Sequence, residues 1–326
     1  MQNTRCEFKK PHTIRIPSNR FAFFDGYLEE ETYKNKILNS ELSPEEIIQE
    51  VTERNKKPAY FYTNNKTPKI LDKKLLKTIP KKLISAIKEQ NSNAAEKSIF
   101  HHLFIEKKYL FPIRANRLYS NIRFENPVPG EKNILFTLHK QPEASIDVLG
   151  TEHSDQIDLI RKISINTPSQ YKIYVKEHSN AIGDRPLSYL KSIKKIPNVR
   201  LINPSHDSHE LIKNSSLVIT ISGTIAFEAA LFGIKSATLS PMFFNILPLC
   251  TYIRNPSDIP QLLSEPSIYS PDLTKIAFRQ IIKDSYQGII SDPISDPDCI
   301  SEKNISLVSD AFERLINEKK EATHNM

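Results

Sequence analysis

The sequence predicts an α/β protein: a doubly wound parallel sheet in the C-terminal part, preceded by a mostly helical N-terminal region. Three observations predict this. From residue 131 onward, short apolar runs alternate with amphipathic helical segments, the pattern of parallel strands joined by crossover helices. Before residue 131 no such alternation is visible. Between the two regions stands "PVPG" (127–130), a turn or linker signal. The 326 residues permit one large domain or two ordinary ones. We divide the chain into 1–130, helical and irregular, and 131–326, the α/β domain.

In the first region, "SPEEIIQEVTERN" (43–55) opens a helix. Ser43 is placed as its cap, Pro44 at the first helical position and Glu46 at the third. Helical periodicity continues over 73–90, interrupted by Pro80, and over 96–111. In the second region, strands are expected at 133–138, 171–175, 198–202, 217–221 and 235–240. Helices are expected at 155–166, 186–196, 208–215 and 224–232, and further helices after 272 close the domain.

Composition excludes several classes. Apolar residues make up 39% and charged residues 25%, as in an ordinary soluble protein. No run approaches the ~20 apolar residues that span a bilayer. The first residues carry no apolar core of the signal-peptide kind. Cys6, Cys250 and Cys299 are far apart and show neither a disulfide framework nor metal spacing. The expectation is a cytoplasmic protein. The net charge of +7 is uneven: residues 51–120 hold 16 Lys/Arg and 5 Asp/Glu, leaving the remainder at −4. Such a segment is a solvated helical face, or it attracts phosphates or an anionic membrane surface. No nucleic-acid partner is expected, because helix-turn-helix, RNP and zinc-finger patterns are missing. No P-loop, GxGxxG or GxSxG motif occurs either.

In an open parallel sheet, ligands bind beyond the carboxyl ends of the strands. The residues that follow each expected strand are therefore the site candidates. After 133–138 come His139, Lys140, Gln141, Pro142 and Glu143. After 171–175 come Lys176, Glu177 and His178, and after 217–221 come Ser222, Gly223 and Thr224. The Ser-Gly-Thr turn either cradles a phosphate at a helix start or caps that helix. Glu228, four residues after Thr224, sits among apolar neighbours and needs a partner: a ligand's hydroxyls, as from a ribose, or a buried hydrogen bond. His139 and His178 are acid/base or phosphate-contacting groups, or exposed loop residues. In "HDSH" (206–209), Asp207 and Ser208 suit a helix cap better than a metal site.

Three stretches carry a family resemblance: "LHKQPEAS" (138–145), "YVKEHSNAIGDRPLSYLKSIKKIPNVRLINP" (174–204) and "SHELIKNSSLVITISGTIAFEAALFGIKSATLS" (208–240). In this order they resemble the capsular polysaccharide biosynthesis family, bacterial glycosyltransferases similar to Kdo transferases. The family's Lys-Glu-His-Pro reads Lys176-Glu177-His178-Ser179 here, so the proline's rigidity is lost. The resemblance implies the GT-B architecture, with 131–326 as its Rossmann-like nucleotide-sugar-binding domain. It implies His139, Glu143 and His178 as catalytic residues. Gln141, Lys176, Glu177, Ser222, Gly223, Thr224 and Glu228 would bind the donor, Glu228 at the ribose. The implied partners are a nucleotide-sugar donor, leaning toward CMP, and a glycan or lipid-linked glycan acceptor. Neither cofactor nor metal is implied, since such sites stabilise the leaving phosphate with dipoles and side chains.

The family's N-terminal Rossmann domain has no counterpart before residue 131, and "TIRIPSNRFAFFDGYLEEE" (13–31) resembles the stretch that follows it. The expectation is a nucleotide-binding half whose acceptor half is lost or carried on a partner chain. Contact with the inner membrane surface through 51–120 is a further expectation. Two other readings stand beside this one: a non-catalytic subunit that binds nucleotide sugar, and a nucleotide-sugar epimerase.

Overall fold

A computed structural model describes residues 8–29, 46, 48–49, 121–178, 181–291, 293 and 296–324. Its centre is a six-stranded sheet in the order β5-β4-β3-β6-β7-β8. The strands are β3 (Asn133–Thr137), β4 (Lys172–Lys176), β5 (Val199–Ile202), β6 (Leu217–Thr220), β7 (Ser236–Thr238) and β8 (Cys250–Tyr252). Every pairing among them is parallel. The fold is thus α/β and Rossmann-like, with one half of the sheet wound out from β3 and the other from β6. β3, β4 and β6 read as unbroken apolar runs because both faces are covered.

The connecting helices are α1 (Ala144–Asp147), α2 (Gln156–Asn166), α3 (Leu187–Lys194), α4 (Ser208–Lys213) and α5 (Ile225–Leu231). α6 (Ile259–Ser264), α7 (Pro271–Lys283) and α8 (Glu302–His324) follow the sheet. Their starts are written locally. Asp155 caps α2 by accepting from Ile157 N and Asp158 N, and Asp207 caps α4 by accepting from Glu210 N. Ser270 caps α7 ahead of Pro271. One sheet face packs Ile134, Phe136, Ile173, Val175 and Ile219 against Leu159, Ile160 and Ile163 of α2 and Leu190 of α3. Leu135, Tyr174 and Val218 pack on the other face with Leu211, Ile212 and Ala229.

Within the region expected to be helical and irregular, the described residues 9–13 and 20–25 form strands. β1 (Lys9–Thr13) and β2 (Arg20–Asp25) form an antiparallel hairpin, and β9 (Tyr286–Gln287) pairs with β2. β2 is buried on both faces. Phe21 and Phe23 meet Tyr286 and the α8 residues Ala311 and Leu315. Ala22 and Phe24 join Ala226 and Phe227 of α5, Phe243, Phe244 and Phe278. Arg20, also buried, donates to Ser285 Oγ and O at 2.7 Å and to Ile282 O at 3.3 Å. It thereby occupies carbonyls at the end of α7. Within the expected 43–55 helix, Glu46, Ile48 and Gln49 are helical, and Ile48 packs on the Phe24–Phe227 cluster. The helices expected at 73–90 and 96–111, and the basic stretch 51–120, lie outside the described residues.

Candidate functional site

The winding reverses between β3 and β6, which are neighbours in the sheet. A crevice opens at the carboxyl ends of such strands. His139, just beyond β3, lies across it from Thr220, the last residue of β6: His139 Nε2 is 2.9 Å from Thr220 Oγ1. Gly223 N donates to Thr220 Oγ1 at 3.2 Å. The Thr220 proton is therefore free to go to His139, which places the ring hydrogen on Nδ1. Gly223 has a packing reason here. A Cβ would lie 2.6 Å from Thr220 Oγ1 and 3.4 Å from His139 Cε1.

His139 is clamped through its backbone as well. Its N–H donates to Gln156 Oε1 at 2.7 Å, and its carbonyl accepts from Gln156 Nε2 at 3.0 Å. The same amide nitrogen reaches Gln141 Oε1 at 2.8 Å, and Gln141 Nε2 donates to Ser154 O at 3.0 Å. Arg185 donates to the His139 carbonyl and to Glu177 Oε1, tying the segment after β4 to the end of β3. The Arg185 guanidinium also lies over the Tyr189 ring, 5.2 Å from its centroid.

The electrostatics follow from this burial. His139 is pushed down to about 3, first by burial and then by electrostatic interaction with His178, Arg15 and Arg185. It is neutral at ordinary pH. Burial pushes Glu177 up to about 7 against the pull of Arg185. Arg15 reaches this neighbourhood from the N-terminal hairpin. It is held between buried Ile14 and Ile16, which pack in the same cluster as Ala226 and Phe227 of α5. Glu29, nearly fully buried, lies 3.8 Å from Arg15 Nη2 and 3.1 Å from both Lys10 Nζ and His12 Nδ1.

Of the residues expected from sequence, His139, Gln141, Glu177, His178, Ser222 and Gly223 gather at the reversal. Ser222 is buried, and its Oγ donates to the Ser145 carbonyl. Thr224 is the N-cap of α5 and makes no side-chain cap bond. Glu143 stands apart, exposed, accepting from Ser145 Oγ at 2.9 Å. Lys176 and Glu228 form a second group with the first turn of α4. Lys176 Nζ donates to Ser208 Oγ at 3.1 Å, and Glu228 Oε2 lies 3.0 Å from His209 Nε2.

Sequence reasoning missed Arg15, Gln156, Thr220 and Arg185. For Gln156 a signal existed: a polar residue directly after the Asp155 cap, near the strand rim. Arg185 stands just before the start of α3, where a basic side chain is unremarkable in a sequence. Nothing local connects Arg15 to residues beyond 131. Among the described residues, no three or more His, Cys, Asp or Glu cluster as a metal site would require. No helix among them is long and apolar enough to cross a membrane.

The fold defines an α/β, Rossmann-like protein, and the carboxyl ends of β3 and β6 are its candidate site. In comparisons with known proteins, no family model and no curated protein matches the sequence. Solved structures do match. The KpsC β-Kdo 2,7 transferase of Thermosulfurimonas dismutans is similar with a TM-score of 0.43 and 15% identity, over 90% of this chain and 75% of that chain. The UDP-GlcNAc 2-epimerase of Methanocaldococcus jannaschii, in complex with UDP-GlcNAc and UDP, is similar with a TM-score of 0.34 and 14% identity, over 57% of this chain. The match takes in 51% of that epimerase, so this chain spans about half its length. The glycosyltransferase SnogD of Streptomyces nogalater is similar with a TM-score of 0.29 and 13% identity, over 49% of this chain and 41% of that chain.

Proposed function

We propose that the crevice between β3 and β6 binds a nucleotide sugar, and that the chain serves the transfer of the sugar to a glycan acceptor. One observation carries this reading: Arg185, bonded to the His139 carbonyl, brings a guanidinium to the reversal of the sheet, and the charge of Arg15 is felt at His139 as well. Cationic groups at the carboxyl ends of parallel strands suit a phosphorylated ligand. In this reading they meet the phosphate, and Glu228, an acceptor-only carboxylate, takes hydroxyl protons from the ribose. Gln141, Ser222, Gly223 and Thr224 shape the crevice, and Lys176 braces its α4 side.

Transfer breaks the bond from the sugar's anomeric carbon to the phosphate oxygen and forms one to an acceptor oxygen, whose proton must leave. His139 Nε2 is occupied by Thr220, and Glu177 is paired with Arg185. The rim therefore binds the donor, and the acceptor's proton departs to a group beyond the His139–Glu177 cluster. Neither a cofactor nor a metal enters this proposal.

Calorimetric titration of the full chain with CMP, UDP and GDP tests it. Binding of at least one, weakened about tenfold or more by Arg15→Ala, is the expected result. No binding by any of the three, or equal binding after Arg15→Ala and Glu228→Ala, overturns it. Incubating a bound donor with and without a glycan acceptor then separates transfer, which needs acceptor, from epimerisation, which does not.

A further inference from the structure

Glu228 is the one carboxylate of α5, and it is not left to find its own orientation. His209, the second residue of α4, meets Glu228 Oε2 at 3.0 Å. A carboxylate accepts and cannot donate, so the proton in this bond belongs to His209 Nε2. The His209 ring is itself confined. It is buried, and it packs edge-on against Phe232 at 5.0 Å between centroids. Lys213 Nζ covers the Phe232 ring at 4.9 Å. Asp207 fixes the first turn of α4 by accepting from Glu210 N at 3.0 Å. The neighbouring Ser208 takes Lys176 Nζ at 3.1 Å. Two adjacent residues of α4 thus hold the lysine at the end of β4 and the carboxylate of α5.

The pairing leaves chemical capacity unused. A carboxylate offers about four lone-pair sites, and His209 takes one. The Glu228 side chain keeps 19% of its surface open while His209 keeps 11%. The open part of Glu228 is acceptor-only and oriented. It suits a ligand that brings hydroxyl donors and repels one that brings phosphate oxygens.

We infer that His209 is the positioning residue for Glu228, and that the His209–Glu228 pair makes the site select ribonucleotides over 2′-deoxyribonucleotides. This rests on the nucleotide reading above. A vicinal diol supplies two donors to one fixed carboxylate. Removing the 2′-hydroxyl leaves an acceptor unpaired in a partly buried place, which discriminates far more strongly than a lost apolar contact. Without His209 the carboxylate swings, and the diol gains little over the deoxy sugar.

The test titrates CMP, UDP and GDP and their 2′-deoxy counterparts into the full chain, and into His209→Leu and His209→Gln variants, with thermal melting as a folding control. The intact chain is expected to prefer the ribonucleotide by about tenfold or more. His209→Leu brings the ratio toward one, the loss falling on the ribonucleotide. His209→Gln restores most of it, because the glutamine amide nitrogen reaches the place of Nε2. An unchanged ratio in a folded His209→Leu variant overturns the inference and leaves nucleotide binding standing. So does a glutamine variant no better than leucine. A chain that binds none of the six nucleotides removes the nucleotide reading and the inference with it.

Discussion

At the scale of single residues, the crevice is built from groups with little room to change. Gly223→Ala places a methyl 2.6 Å from Thr220 Oγ1, so the His139–Thr220 bond must shift. A loss of about 1–3 kcal/mol in urea unfolding is the expected outcome. His139 gives a pH signature. Its folded-state value of about 3 lies below the ordinary 6.5. Between those values the unfolded chain binds the extra proton, so the His139 contribution is complete above pH 6.5 and is lost as pH falls toward 3. Glu177, raised to about 7, works in the opposite sense, its contribution declining as pH rises from about 4.5 to 7. Stability measured against pH should therefore lose its acid-side fall below 6.5 in His139→Gln, by an amount on the order of a few kcal/mol at low pH. Legibility at this scale followed sequence distance. The Asp207 cap was readable because its partner is three residues away. The bond of Ser222 to Ser145 was not readable, because the two lie 77 residues apart.

At the scale of elements, the segment after β4 is held down by one ion pair. Arg185 and Glu177 are both nearly buried and meet directly. Arg185→Met alone removes the charge that draws Glu177 down, so the buried acid takes up a proton and the variant should lose about 1–3 kcal/mol through the lost partner. Arg185→Met combined with Glu177→Gln should cost less than the two single losses added together, because the bond between them is lost only once. A double-mutant cycle in chemical denaturation measures the difference, and additive losses would deny the coupling. Five strands after 131 were legible as short apolar runs between turn signals, and their observed bounds shift by only a residue or two, whereas β8, three residues long with Thr251 and Tyr252 exposed, was not expected. β1 was not legible. "KKPHT" has neither an apolar run nor alternation, and it is a strand because β2 lies beside it. β9 spans two residues, too few for any periodic signal.

At the scale of the whole molecule, the hairpin and the large sheet share one body of packing. Phe21 stacks on Tyr286 and meets Phe23 edge-on, with ring centroids 5.9 Å and 5.5 Å away. Phe21→Ala should cost about 3–5 kcal/mol. Near-ultraviolet and far-ultraviolet signals should still melt together, because the loss is shared by the whole unit. Separate transitions would mean that the hairpin stands alone. This organisation could not be read from the chain, because it depends on contacts between its two extremes. The doubly wound half could be read, because its contacts are mostly between successive elements.

The pairing of β2 with β9 also orders events in time. Arg20 and Ser285 are 265 residues apart and bond directly. Closing so long a loop costs entropy before any contact rewards it. During synthesis at about 5–20 residues per second, "RFAFFD" waits roughly 15–60 seconds for its last partners on α8. Over that interval a strand apolar on both faces has neither β9 nor α8 to cover it. The part of the protein made early is thus completed late, and its phenylalanines are where a stalled or shortened chain would begin to aggregate.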